Sequence, residues 1–461
     1  MDTMNGTGER AVVIGAGLGG LLAAGVLADR FERVTVIERD ALPAADEPRR
    51  AVPQGRHCHT LLPSGQLCLE QLLPGILGEL VADGAPTYRA MGELRCVAGG
   101  HQLARGDSGR QALLASRPFL EGHVRRRLAQ LPNVALEDRC DAVGLLGDQR
   151  HDRIAGVRLL RRAAGSAAEE LPADLVVVAT GRGARLPAWL EELGYPRPAE
   201  QRLDIDIAYA TIPLRLPAGA LGADKLVLVF ARPELPRGLF LFAEEHDRWR
   251  LSAYGYGGHH PPTDPDGFLD FVASVAPPDV TAAVRAAEPL DPVVAHRIPA
   301  DLRRRYERLR RLPGGLLPFG DALCAFNPVY GQGMTVAARE ALALRDCLAA
   351  GPDGLQRRFL RAATRTIDDA WTLATGADLA QPTVAGPRPA RVRLVNAYLR
   401  RLHAAAERDP ALALAFINVV AMIDRPQRLL HPGPAARVLA ASLLGPRRPA
   451  APTTVRLERA S

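Results

Sequence analysis

Ala11-Val12-Val13-Ile14-Gly15-Ala16-Gly17-Leu18-Gly19-Gly20, then an Ala- and Leu-rich run to Leu27, then Val34-Thr35-Val36-Ile37-Glu38, decides the architecture of this 461-residue chain. The apolar tetrad 11–14 has the pattern of a buried strand, the run after it that of a helix, and 34–37 that of a second strand ending in an acid. Three glycines stand in the order G-x-G-x-x-G between strand and helix, the setting in which the spacing has meaning. Gly15 makes the tight turn, Gly17 lets the chain touch a pyrophosphate, and Gly20 permits close packing of helix on strand. Glu38 is placed for adenosine ribose hydroxyls, with Leu18 and Arg39 beside the same ligand. The unit therefore predicts an α/β protein that binds a dinucleotide.

A second signature lies far downstream. The apolar run 315–319 leads into Gly320-Asp321-Ala322-Leu323-Cys324-Ala325-Phe326-Asn327-Pro328-Val329-Tyr330-Gly331-Gln332-Gly333-Met334, which opens an Ala/Leu-rich helix expected over about 335–350. Gly351-Pro352 is a suitable stop. A carboxylate at a strand end accepts hydrogen bonds from sugar or ribityl hydroxyls, so Asp321 is a candidate ligand. Gly331 and Gly333 would let N–H groups at a helix N-terminus, through Gln332 and Met334, approach an anionic group.

Composition narrows the class. A 47% hydrophobic content supports large cores, and the length suggests two or three domains. The formal charge of +7 is almost all arginine, Lys225 being the only lysine. The dense basic runs, 125–127 and 303–305, lack interleaved aromatics and read as solvated faces, so no nucleic-acid partner is expected. Six cysteines (58, 68, 96, 140, 324, 347) are dispersed without a C-x-x-C pair, which suits a reducing cytoplasm and no disulfide framework. His57 and His59 have no third ligand nearby, and no metal site is expected. The longest apolar stretch, 411–423, is too short to span a membrane, and 1–10 is unlike a signal peptide, so a soluble, cytoplasmic protein is expected.

The two glycine signatures together resemble the FAD-binding domain of the para-hydroxybenzoate hydroxylase-like monooxygenases. A closer resemblance lies in Arg50-Ala51-Val52-Pro53-Gln54-Gly55-Arg56-His57-Cys58-His59-Thr60-Leu61-Leu62, the helix around 65–75, Cys324-Ala325-Phe326-Asn327-Pro328 and the Gly331 loop. These blocks look like the flavin epoxidases of polyether-antibiotic assembly, the monensin and lasalocid type. The resemblance implies FAD as cofactor, Asp321 on its ribityl chain, and N–H groups near 331–334 at the flavin N1/C2=O edge, where a positive helix end would stabilise the anionic reduced ring. It also implies that Arg117, in Ser116-Arg117-Pro118-Phe119-Leu120 at the start of a helix, contacts FAD. The sequence departs from the hydroxylases at Thr180, which stands where an Asp-Gly pair would link FAD and NADPH. The electron donor is thus NAD(P)H or a separate flavin reductase.

The resemblance further implies oxygen transfer from a flavin C4a-hydroperoxide, formed with O2, to an alkene of a small apolar polyketide or terpenoid. The alternatives are a hydroxylase or halogenase of an aromatic substrate, or a redox-silent FAD-binding module. No Ser/His/Asp or paired-carboxylate signature is visible, so no acid or base is assigned. Phe326, Pro328 and Tyr330 are expected over the flavin as the walls of the reaction pocket. Alternating segments at 207–214, 226–230, 239–243 and 249–254 predict an antiparallel sheet, and 173–181 a buried strand closing the nucleotide sheet. The expected division is a discontinuous, Rossmann-like FAD-binding domain over 8–85, 111–200 and 313–350, with an inserted antiparallel-sheet substrate domain over 86–110 and 201–312. A C-terminal helical region over 351–461 braces both.

Overall fold

A computed structural model describes residues 8–44, 46–49, 53–150, 152–163 and 165–443. The basic start of the epoxidase-like block, 50–52, and the Pro- and Arg-rich tail from 445 lie outside the described residues.

Gly8–Ile14 and Phe31–Ile37 pair in parallel, with the helix Leu18–Ala28 crossing between them. Side chains of this helix are buried nearly all round because it lies between the sheet and the helix Gln332–Ala349. The five-stranded sheet runs Leu316–Pro318, Leu175–Val178, Gly8–Ile14, Phe31–Ile37, Val134–Glu137, and all its pairs are parallel. The expectation that 173–181 closes this sheet is corrected here. Leu175–Val178 is an interior strand and Leu316–Pro318 forms the edge, which carries the downstream signature to the C-terminal end of the first strand. The downstream helix begins at Gln332 rather than 335, so Gln332, Gly333 and Met334 belong to its first turn.

The second sheet is larger and mostly antiparallel. Its long strands are Glu200–Arg215, Arg237–Glu244, Arg248–Tyr256 and Val294–Arg304. Alternation sets its two faces: Leu239 and Leu241 pack toward the helices Pro265–Ala273 and Pro278–Arg285, whereas Phe240 and Phe242 point to the other side. That other side is covered by the C-terminal helices Ala390–Ala406, Pro410–Val420 and Pro432–Leu443. Tyr254 and Tyr256 are fully buried core residues there.

The strand Val294–Arg304 overturns the reading of 303–305 as a solvated basic face. Arg303 and Arg304 are 3% and 8% exposed, and they pair with Asp368 at 2.6 Å and Glu200 at 3.0 Å. Arginine tolerates such burial because its fork meets carboxylates with charge-assisted hydrogen bonds. All six cysteines are free thiols. Among the described residues no helix is long and apolar enough to cross a membrane, and no group of three or more His, Cys, Asp or Glu side chains could hold a metal ion.

Candidate functional site

Where the first strand ends, the chain must turn at once into a helix. Gly15 does so at φ +107, and a Cβ there would stand 2.6 Å from the Ala179 carbonyl oxygen. Gly20 sits behind the turn, against the Gly15 carbonyl, and does not line the crevice in front of it. Gly17 does: the nearest atom to a Cβ built on it is an Arg117 nitrogen 3.8 Å away.

The crevice has two arms that share Gly17, Arg117, Ala179, Gly181 and Asp321. One runs to Gly15, Glu38 and Arg39; the other reaches Leu18, Phe326, Pro328 and the Gly331-Gln332-Gly333-Met334 turn. Two stretches far apart in sequence thus form one continuous groove. Of the residues expected to bind the cofactor or to wall the reaction pocket, only Gly20 and Tyr330 lie off this groove, Tyr330 lining the chamber beside it.

Both helices that point into the groove begin without a side-chain cap, at Gly17 and at Gly331, the latter in the left-handed conformation at φ 63. Glu121 already takes the Leu18 N–H of the first helix, so it is the N–H groups at the start of the second, with the positive end of both, that favour an anionic or acceptor-rich ligand. Gln332, 3% exposed, buries an Oε1 atom with no partner among the described residues. Asp321 is half-buried near the first turn of the same helix. Burial raises its carboxyl against the opposing pull of Arg117 and Arg182. Beneath it, Glu340 accepts the Gly320 N–H at 2.7 Å. Full burial pushes this carboxyl up to about 8, so it anchors the turn while largely neutral at pH 7.

Glu38 also belongs to a network that the motif alone does not reveal. It accepts the N–H groups of Ala16 at 2.9 Å and Asp40 at 3.1 Å and pairs with Arg49 at 2.9 Å. Arg49 reaches on to Glu121 at 3.0 Å and to the Ala16 carbonyl, while Glu121 accepts Leu18 N–H at 3.1 Å and binds Arg117 at 2.8 Å. Desolvation alone would lower the Arg49 guanidinium; Glu121 and Glu38 outweigh it and hold it above its ordinary value. Likewise, burial would raise the Glu121 carboxyl, but Arg117 and Arg49 hold it down. The glycine turn is therefore fixed from below by two buried carboxylates and the guanidinium between them.

A second space meets the groove at His59, Pro328 and Gly331. Leu226, Leu228, Phe240 and Phe242 line one side and Phe416, Ile417 and Val420 the other. Its ionisable groups are held neutral: burial pushes the Cys58 thiol and the Tyr88 phenol up to about 12 and His59 down to about 3. Pro328 lines both spaces, Phe326 only the groove and Tyr330 only the chamber. The C-terminal region supplies chamber wall here, a role its helical periodicity did not signal.

The loop 53–62 is tied to the large sheet. His57 Nδ1 meets Thr211 Oγ1 at 2.7 Å, Cys58 N–H donates to Ser252 Oγ at 3.1 Å, and the His57 and Tyr209 rings meet edge to face at 4.6 Å. Burial first, then His59, His296 and Arg250, lowers the His57 ring to about 3. The unfolded chain takes up this proton below about 6.5, whereas the folded chain refuses it until about 3. Stability from this residue is thus lost as pH falls through that window. The stability gap between wild type and His57→Phe should narrow by roughly 2–3 kcal/mol between pH 7 and about pH 4.5. Urea denaturation across that range measures it, and a constant gap would contradict it.

No protein-family model matches the chain. Protein Rv3254 of Mycobacterium tuberculosis (strain ATCC 25618 / H37Rv) is 37% identical over 430 residues, 90% of this chain and 90% of that protein. Among solved structures, the flavin-dependent brominase Bmp2 superposes with a TM-score of 0.67 at 14% identity, over 95% of this chain and 99% of that one. PqsL of Pseudomonas aeruginosa, a probable FAD-dependent monooxygenase, gives a TM-score of 0.60 at 18% identity over 81% and 97%. The fold is that of the para-hydroxybenzoate hydroxylase-type flavin monooxygenases.

Proposed function

This chain belongs to the same family as Protein Rv3254 of Mycobacterium tuberculosis, and we propose that it is an FAD-dependent monooxygenase acting on a small, neutral, apolar substrate. The finer reading is epoxidation of an alkene in a polyketide or terpenoid, in secondary metabolism. The observation that carries it is the uncharged chamber meeting the groove at His59, Pro328 and Gly331. The nature of the two fold neighbours, a brominase and a probable FAD-dependent monooxygenase, supports the oxygen-dependent class.

The groove fits FAD: it joins an acid behind a glycine turn, two helix N-termini that begin at glycines and an orphaned Gln332 oxygen in one extended space. When bound, FAD would supply the redox chemistry and the activation of O2, with electrons from NAD(P)H or a separate reductase. Glu38 and Arg39 would hold its adenosine end, with Gly15 and Gly17 making room for the pyrophosphate and Arg117 alongside. Asp321 would accept ribityl hydroxyls, and the N–H groups of Gln332, Gly333 and Met334 would face the ring. Pro328 and Phe326 form the wall against which that ring would lie. The chamber's own residues bind and orient the substrate and exclude water, which favours attack by an electrophilic oxygen over its loss. Among the described residues that line the chamber none is charged, so a carboxylate or ammonium on the substrate would be buried there without a partner.

A halogenase of an aromatic substrate is the second reading, favoured by the brominase likeness over 95% of the chain. Halogenases that resemble this fold rely on a lysine beyond the flavin, and Lys225, the only lysine, lines neither the groove nor the chamber, which argues against that reading. The test is product mass. FAD-loaded protein supplied with a flavin reductase, NADPH and neutral polyenes should add one oxygen per alkene. A halide-dependent mass shift would move the assignment to halogenation, and protein that takes up no FAD would overturn both.

A further inference from the structure

Asn327, Pro328 and Tyr330 form the partition between groove and chamber, and the partition is tied to a buried pair of carboxyls that neither space contains. Asp378, the last residue of the helix Leu355–Asp378, accepts at one oxygen from Asn327 Nδ2 at 2.8 Å and from the hydroxyls of Tyr256 and Tyr330, both at 2.9 Å. Asn327 has its orientation set because its own oxygen accepts Val329 N–H at 3.1 Å. Asp301, on the strand Val294–Arg304, faces Asp378 and is 0% exposed, as is Asp378 itself. An oxygen receiving three donors is where negative charge is best placed, so Asp378 is the carboxylate and Asp301 the acid that hydrogen-bonds to it.

We propose that Asp301 and Asp378 are positioning residues: one proton shared between them holds the Asn327–Tyr330 partition in place, and its loss releases the partition. Two carboxylates facing each other in a dry site cannot both ionise without strong repulsion, so one remains protonated well above the ordinary carboxyl range. For Asp301 burial and Asp378 raise the carboxyl to about 9. The Asn327 backbone N–H and the Arg182 guanidinium, which donates to the Ala300 carbonyl, oppose that rise without overcoming it. Among the described residues, Tyr254, Tyr256 and Tyr330 beside Asp378 and Cys324 beside Asp301 are pushed upward by burial and stay neutral through this range. When the shared proton leaves, repulsion drives the Asp378 helix end from the strand, and the three donors lose their acceptor. The effect on turnover rests on the proposed monooxygenase reading; the effect on stability does not.

Asp301→Asn is the diagnostic variant, because an amide donates the same hydrogen bond at every pH. Below its ordinary value of 3.8 the Asp301 acid is protonated in both states. Above that value the unfolded chain ionises first, so stability from this acid is lost as pH rises toward about 9. The full-length Asp301→Asn chain should therefore show a flatter fall in unfolding midpoint between about pH 5 and pH 9 than wild type. Its kcat/KM should lack the alkaline limb near pH 9. Asp378→Asn, with its acceptor weakened, should lower kcat roughly ten- to a hundredfold with FAD retained. Identical stability slopes for wild type and Asp301→Asn would overturn the proposal, whether or not turnover is found. A changed slope with an unchanged alkaline limb would overturn the positioning role and leave the monooxygenase reading intact.

Discussion

Gly20→Ala is expected to destabilise the protein by roughly 3 kcal/mol or more and to yield chain that no longer retains FAD. A Cβ at this position would lie 1.8 Å from the Gly15 carbonyl oxygen and 3.0 Å from its carbon. Both atoms are backbone, in a turn already held at φ +107, so neither can rotate away as a side chain would. Relief requires the helix Leu18–Ala28 to lift from the sheet, which moves the helix start at Gly17 out of the groove. Gly17→Ala provides the contrast. Its Cβ would approach nothing nearer than an Arg117 nitrogen at 3.8 Å, so the variant should fold with near wild-type stability. It should still lose FAD, since the methyl group occupies space the ligand needs. Thermal melts combined with flavin absorbance of the purified proteins separate the two, and a stable, yellow Gly20→Ala protein would refute the packing argument.

Arg49→Ala should cost about 3–5 kcal/mol, because it leaves buried carboxylates without the cation between them. Glu38 and Glu121 are 6% and 4% exposed, so water cannot replace the lost guanidinium. Glu121 would keep Arg117 at 2.8 Å, whereas Glu38 would keep only backbone N–H donors. Arg49 also donates to the Ala16 carbonyl, inside the glycine turn itself, so FAD retention should fall with stability. The sign of the pH dependence distinguishes charge from shape. Glu121 is held below its ordinary value of 4.5, so the stabilisation from its pairing is present above that pH and lost as Glu121 protonates below it. The deficit of Arg49→Ala should therefore shrink in acid, and a deficit independent of pH would mean that packing alone was lost.

These two positions differ in how much of them could be read in the sequence. The role of Gly20 follows from a spacing of a few residues: a strand, a turn and a helix that must lie close together are all local, and local geometry is written in neighbouring residues. Arg49 is nearly silent in sequence, because its meaning comes from carboxylates at 38 and 121 that only the folded chain brings to the same place. The same holds for 303–305. Three consecutive arginines have the composition of a solvated face, yet Arg303 and Arg304 are buried in a strand because Asp368 and Glu200 arrive from elsewhere to neutralise them.

The sheet strands were legible wherever alternation was clean, as at 239–243, where Leu239 and Leu241 face one side and Phe240 and Phe242 the other. The strand Val294–Arg304 was not, since its charges and proline hide the period of two. Nor did the helical periodicity of 410–423 say that Phe416 and Ile417 would line the chamber.

By itself, then, the sequence determined the strand, glycine turn and helix of the N-terminal unit, the downstream Asp321 and Gly331 signature, and the mixed α/β architecture, because each rests on short-range spacing and backbone sterics. The joining of Gly17 to Asp321 in one groove, the neutral chamber behind Pro328 and the carboxyl pair at Asp301 and Asp378 were decided only by tertiary structure. The physical reason is that burial and charge pairing depend on which distant residues meet, and these set the state of a buried acid or base more strongly than the residues beside it in the chain.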